Sequence, residues 1–467
     1  MTRALRSALA LLFVVAAAQA QQPSPAPPPP DPPGELERLG DGCFDLKGLP
    51  GCAETLFTGK PLHIALGSIA PQNGFGAGLA LVGHRTTASW RNSWSADAVG
   101  SNNGSWRAGV YFKFVHTPDN PVGVGFGTPP PPKDNLTEMP EHTVFGLYAQ
   151  AISLNKITYF GLGPSSTLAG RSFFGETATI VGGNVVKPFF AKLNASLYAE
   201  INGRFVSLRG SHNQPSPSIE QLYSEATAPG LTSQPGTLEL GEGLRIRPIW
   251  GNDVLRLNYN LAYQQFITPG ANFSFQRLVV DLGHQIALYG RTTRILDARP
   301  SNSPNDCAID PVTHPACPKP YVRNFEGAVG FRVLASLSMT PGGDIVPFYF
   351  QPTLGGSDLN GNATLGSYQD YRFRAPNVLL LRESFEHSIS DLPIGFTVLA
   401  DQGKVALTRG DLGPNPWRHS FSTGLTLRAG GFPEVYLLFS WGGQEGTHTS
   451  ASVATSLLGG SQRPPLF

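Results

Sequence analysis

From Pro61 to the carboxyl end, apolar and polar residues alternate with a period of two. In residues 193–205 the odd positions read Leu, Ala, Leu, Ala, Ile, Gly, Phe, and the even ones are Asn194, Ser196, Tyr198, Glu200, Asn202 and Arg204. Leu255–Tyr263 sets Leu, Leu, Tyr, Leu, Tyr against Arg256, Asn258, Asn260 and Ala262. In Phe325–Met339 the apolar set faces Glu326, Arg332, Ser336 and Ser338, and Trp106–Phe114 and Val435–Trp441 alternate in the same way. Side chains of a strand point to opposite faces in turn, so each run predicts a strand with one apolar face.

Two architectures produce this alternation. In a soluble sandwich the apolar face packs inward; in an outer-membrane barrel it meets lipid and the polar face lines the lumen. Alternation alone does not separate them. The strands outnumber those of one sandwich, and several runs reach the roughly nine residues that cross a bilayer at a tilt. At about 25 residues per strand and connection, the body holds about 16 strands. Short connections (Thr340–Asp344, Asp391–Pro393, Gly430–Pro433) intersperse with long ones (Thr117–His142, Arg294–Tyr321, Gly355–Ala375), which predicts periplasmic turns and external loops. Gly210–Gly236 is long as well but counts to the periplasmic side. The fold class expected is all-β, a transmembrane antiparallel β-barrel over residues 61–467. Trp90, Trp94, Trp106, Trp250, Trp417 and Trp441 fall near strand ends, as an aromatic girdle would.

The amino end supports export. Arg3 and Arg6, an apolar run from Ala8 to Ala18 and an Ala18-Gln19-Ala20 site make residues 1–20 a Sec signal peptide. Residues 21–60 read as a periplasmic linker, opening with a proline tract from Gln21 to Pro33 that favours extended chain. An exported barrel of this kind resides in the bacterial outer membrane, with its lipid as the first partner.

Composition narrows the classes. Charged residues are 14% of the chain and the net charge is +1, so nothing points to nucleic acid. After the signal peptide no apolar run is long enough for a spanning helix. Cys43 with Cys52 and Cys307 with Cys317 form two close pairs in loop-like contexts, read in an exported chain as local disulfides. Neither pair has histidines at ligand spacing, so no metal site and no cofactor is indicated. A Gly-x-Ser-x-Gly elbow and a His-Glu-x-x-His helix are both missing, and His142, His284, His387 and His419 are scattered, so the chain reads as a non-enzyme.

Residues 354–405 carry a more specific pattern: Leu354-Gly355-Gly356, then Tyr368-Gln369-Asp370-Tyr371-Arg372-Phe373-Arg374, an apolar run Leu379–Glu383, and a Phe-x-x-x-x-Asp-x-Gly strand holding Phe396, Asp401 and Gly403. This order resembles the carboxy-terminal barrel of the Omp85 superfamily (surface antigen D15), as does Lys156–Ser165, with its Tyr-aromatic-Gly-Leu-Gly. Where the family shows Leu-Arg-Gly-Tyr, this chain shows Leu365-Gly366-Ser367-Tyr368. The resemblance implies a 16-stranded barrel and a loop folded inward, locked by Gly355, Gly356, Tyr368, Arg372, Arg374, Glu383 and Asp401. Asp401 falls on the lumenal parity, and with the tip arginine gone Arg372 and Arg374 are its expected cations. About forty residues separate the signal peptide from Pro61, so the chain is expected to lack its own POTRA repeats.

The resemblance further implies assistance in inserting or translocating proteins, or lipid-linked material, at the outer membrane. It also implies a client protein and a periplasmic POTRA-type or chaperone partner. A passive pore or structural barrel is the first alternative, and a lipid-modifying enzyme the second. Prolines Pro464 and Pro465 cannot donate to a ladder, so the last strand is expected at Thr447–Leu458, weak in pattern and poorly sealed against the first.

Overall fold

The alternating runs become strands of a single antiparallel sheet. The computed structural model describes residues 62–453 except 88, 117–141, 212–213, 251–253, 297–319, 390–393 and 428–434. The signal-peptide and linker assignments, both cysteine pairs and the chain beyond residue 453 lie outside the described residues. Among the described residues sixteen strands follow one another. They are β1 Leu62–Ser68, β2 Phe75–Thr86, β3 Trp90–Ser101, β4 Trp106–His116, β5 Val144–Tyr159, β6 Ser172–Phe190, β7 Ala195–Gly210 and β8 Thr237–Ile246, the last resumed at Ile249–Trp250. Next come β9 Leu255–Ile267, β10 Phe275–Leu296, β11 Pro320–Met339, β12 Asn377–Ser388, β13 Ile394–Ala406, β14 Arg418–Leu427, β15 Val435–Gly443 and β16 Gly446–Val453.

Every strand pairs with its neighbours in sequence, from β1 with β2 through β15 with β16. Among the described residues no ladder joins β1 to β16. The sheet nevertheless curls, because one cluster gathers inward side chains from β1 (Ala65), β5 (Ile157), β6 (Phe174) and β10 (Phe275).

Exposure decides between the two architectures. On β7 Leu197, Ile201 and Phe205 are 52%, 55% and 54% exposed, while Ser196, Asn202 and Arg204 are buried. Leu79, Phe112, Leu147, Val181, Leu425, Leu437 and Phe439 continue the outer apolar band around the sheet. A sandwich would bury that face; a barrel in lipid presents it. Trp94, Trp106, Trp250 and Trp441 also stand exposed. Inside, the wall carries ion pairs shut away from water, Arg107 with Asp97 at 2.8 Å and Arg204 with Glu239.

The connections correct the expected sorting of loops. Connections after odd-numbered strands share one end, called here the upper end; those after even-numbered strands share the other. Residues 211–236 and 340–376 are upper connections. The strand ends flanking 117–142 and 294–321 belong to β4, β5, β10 and β11 at the lower end, opposite the end at which the inward loop begins. Thr340–Asp344 is not a separate lower turn; it opens the same connection that Gly355–Ala375 closes. Length alone does not reveal which end of a barrel a connection occupies, and the strict meander does.

Candidate functional site: the inward loop and its anchors

Residues 340–376 leave β11, enter the barrel and return to β12. Pro347 starts a single 3-10 turn, Phe348–Phe350, in which all three rings are buried. Phe348 lies 5.1 Å from the Tyr159 ring and 5.3 Å from Phe174, and Phe350 lies 5.5 Å from Phe266, itself stacked on Phe275 at 4.2 Å. Val346, Leu359 and Tyr371 join the same cluster, with Ile219 and Ala228 from the 211–236 connection. The upper lumen is therefore packed with side chains rather than lined for water.

The loop's backbone is held as firmly as its rings. Thr353–Leu354 pairs with Phe373–Arg374 in a two-residue ladder, so entry and exit run side by side. The exit also bridges to Leu162, and Gly163 N–H donates to the Arg374 carbonyl at 2.8 Å. This is where the Gly-Leu-Gly segment acts: Gly161 and Gly163 have φ of +95° and +77°, a left-handed turn that glycine adopts without a Cβ penalty. Gly355 and Gly356 have φ of +104° and +58°. A Cβ on Gly355 would lie 2.5 Å from Arg372 Cβ, and one on Gly356 would lie 2.6 Å from the Asp370 backbone nitrogen. Asp370 itself accepts the Ser357 N–H at 2.9 Å, and the Tyr371 hydroxyl donates to the Pro71 carbonyl at 2.9 Å.

The tip, residues 363–368, rests on the inner faces of β13, β14 and β15. Asp401 is 3% exposed and accepts the Leu365 N–H at 2.9 Å. Its cation is Arg382, directly opposite on β12, with two hydrogen bonds of 2.6 and 2.8 Å. The same guanidinium donates to the Ala363 carbonyl at 2.6 Å. Ser367 N–H donates to the Ser420 hydroxyl at 2.9 Å, and a Cβ on Gly366 would meet Ser440 Oγ at 2.5 Å, so the tip lies close against the wall. Tyr368 is buried, its ring edge-on to Phe373 at 5.1 Å.

Arg372 and Arg374 do not reach Asp401. Arg372 pairs with Glu445 in the β15–β16 turn and donates to the Ser166 hydroxyl and carbonyl at 2.8 and 2.9 Å, its guanidinium over the Phe160 and Phe373 rings. Arg374 donates to the Phe348 carbonyl at 2.8 Å, inside the aromatic cluster. Glu383 is a second correction. It is exposed and stands opposite Phe331, which is 44% exposed, on the outer face of the sheet. Glu383 therefore takes no part in holding the loop.

The residue the sequence reading passed over is Arg382. It sits inside the run Leu379–Glu383, where both parities are apolar, so alternation did not say which of Arg382 and Glu383 faces inward. A usable signal was its place in the register: an inward acid on one strand calls for a cation on the next. The anchor also differs in kind from the implied one. Here a wall arginine and a wall aspartate grip the loop's main chain, which needs no particular side chain at the tip.

No protein family and no curated protein matches the sequence. Among solved structures, the chain is similar to CdiB from Escherichia coli at 11% identity and TM-score 0.49, over 84% of this chain and 62% of that one. It is similar to the crystal structure of BamA from Haemophilus ducreyi lacking POTRA domains 1–3, at 10% identity and TM-score 0.44, over 84% and 68%. A third is CdiB from Acinetobacter baumannii, at 10% identity and TM-score 0.43, over 84% and 58%. The chain thus spans less than two thirds of either CdiB. At such values the fold rests on this chain's own strand pairing.

Proposed function

We propose that the chain is an Omp85-type outer-membrane barrel that assists insertion or translocation of proteins, or of lipid-linked material, through an openable seam between β1 and β16. The observation that carries this reading is the inward loop: residues 340–376 fold into the barrel, and Arg382 and Asp401 hold its main chain to the wall. The sequence resemblance supports the same reading through the inward loop. In this proposal Gly355, Gly356, Tyr368, Arg372 and Arg374 shape the loop, and Asp401 with Arg382 fixes it to the wall. Its partners would be a client chain and a periplasmic receptor or chaperone.

The test is deletion of the gene in its bacterial host, followed by quantitative mass spectrometry of outer-membrane and secreted proteins. Selective depletion of one or a few proteins names the client. An unchanged proteome rejects the export and assembly role.

A further inference from the structure

The inward loop touches both flanks of the proposed seam through consecutive residues. On one flank the Tyr371 hydroxyl donates to the Pro71 carbonyl at 2.9 Å, and Asp370 Oδ2 accepts Gln72 Nε2 at 3.4 Å. Pro71 and Gln72 belong to the connection between β1 and β2. That connection is rooted in the wall. Asn73, fully buried, bonds the N–H and the carbonyl of Lys156 on β5, at 3.0 and 2.8 Å, and accepts the Ser105 hydroxyl at 2.9 Å. On the other flank Arg372 pairs with Glu445, in the turn between β15 and β16, and the two side chains are only 5% and 8% exposed. Gln444, beside it, accepts from Arg418 on β14 at 2.9 Å, so this turn is tied to the carboxy-terminal strands. Tyr371 has φ of +60°, a left-handed backbone that is strained for a bulky residue. Its N–H, shared between the Gly355 and Ser357 carbonyls at 3.1 and 3.3 Å, and its ring, buried in the aromatic cluster, hold it there.

Given the seam between β1 and β16 proposed above, we infer that residues 370–372 are a latch across it. Neighbouring Cα atoms are about 3.8 Å apart, so the two flanks are tied to nearly one point of the loop. They cannot part while both ties hold. The tie that yields is the one between Arg372 and Glu445. On release Arg372 keeps its bonds to the Ser166 hydroxyl and carbonyl and its place over the Phe160 and Phe373 rings, so no guanidinium is stranded. Tyr371 stays, its ring fixed in the plug. Opening therefore breaks one ion pair and leaves the loop where it is. The Arg382–Asp401 pair does a different job: it fixes the loop to β12 and β13, away from the seam.

The experiment is amide hydrogen exchange, read by mass spectrometry, on the purified full-length barrel in lipid nanodiscs. Wild type is expected to exchange faster in residues 62–68 and 446–453, the strands flanking the seam, than in 275–286 of β10. Glu445→Gln removes the charge of the yielding tie at nearly constant shape. It is expected to speed exchange in 62–68 and 446–453 at least about tenfold, the scale of one lost charged hydrogen bond, and to leave 275–286 unchanged. Tyr371→Phe keeps the ring, removes the bond to Pro71 and is expected to act on the same two segments. Unchanged exchange there in either variant, with a fast wild type, overturns the latch and leaves the seam standing. Equal protection of all three segments in wild type overturns the seam and the latch with it. Faster exchange that spreads to 275–286 is a general loss of stability and also overturns the latch.

Discussion

At Asp401 two wall residues do the work that the sequence resemblance assigned to a loop side chain. Arg382 and Asp401 neutralise each other and between them hold the Leu365 N–H and the Ala363 carbonyl. Removing the carboxylate strands a guanidinium in the barrel wall, whereas replacing both charges with apolar groups leaves no orphan. Asp401→Ala is therefore expected to destabilise the barrel by about 3 kcal/mol, and Arg382→Met/Asp401→Leu by clearly less. Urea unfolding midpoints of the single and double variants check this.

Glu225 gives a pH prediction at the same scale. Burial alone would raise its carboxyl, but N–H groups of Thr232, Gly230 and Leu231 and the Thr232 hydroxyl together bring it below the usual range. A lowered carboxyl contributes stability above its unfolded value, and that contribution is lost as pH falls through the folded value, below 4.5. Wild type is expected to protect the 224–232 segment from hydrogen exchange better than Glu225→Gln at neutral pH. The difference should vanish under acid conditions. An equal difference at both pH values rejects the assignment.

At the scale of strands, the two faces of β7 have opposite requirements. Ile201, at mid-strand, is 55% exposed on the outer band, and its neighbour Asn202 is buried and hydrogen-bonded to Glu239 at 3.0 Å. Ile201→Arg places a charge on the lipid face and is expected to cost about 2–4 kcal/mol when folding into phospholipid vesicles. An effect near zero would mean that this face does not meet lipid. The same logic explains Glu383: its strand is apolar on both faces for several residues, so parity read from sequence had no contrast to work with.

At the scale of the whole molecule, the inward loop plugs the lumen, and the proposed seam lies between β1 and β16. The rings of Phe348, Tyr349 and Phe350 fill the upper lumen, so steady conductance in planar bilayers is expected to be low. Replacing residues 345–374 with a short Gly-Ser linker is expected to produce large, stable conductance steps. A wild type already showing such steps would favour the passive-pore reading. Amides of β1 and β16 are expected to exchange hydrogen faster than those of residues 275–286 of β10, which are bonded to β9 on one side and β11 on the other. Equal protection would mean that the seam is sealed.

The sequence by itself determined the strands and their approximate number, because period-two alternation is a local property that each strand carries alone, while the inward loop was implied only by the resemblance of residues 354–405 to a known family. The sign of the alternation, apolar face outward, was decided only by the assembled sheet, on whose outer face Leu197, Ile201 and Phe205 stand exposed, since the same pattern serves a sandwich. Tertiary structure also decided which end each long connection occupies, which of Arg382 and Glu383 faces the lumen, and where Arg372 and Arg374 reach. Those are questions of register and of contact between residues far apart in the chain. An ion pair such as Arg382 with Asp401 exists only once two strands have chosen their alignment.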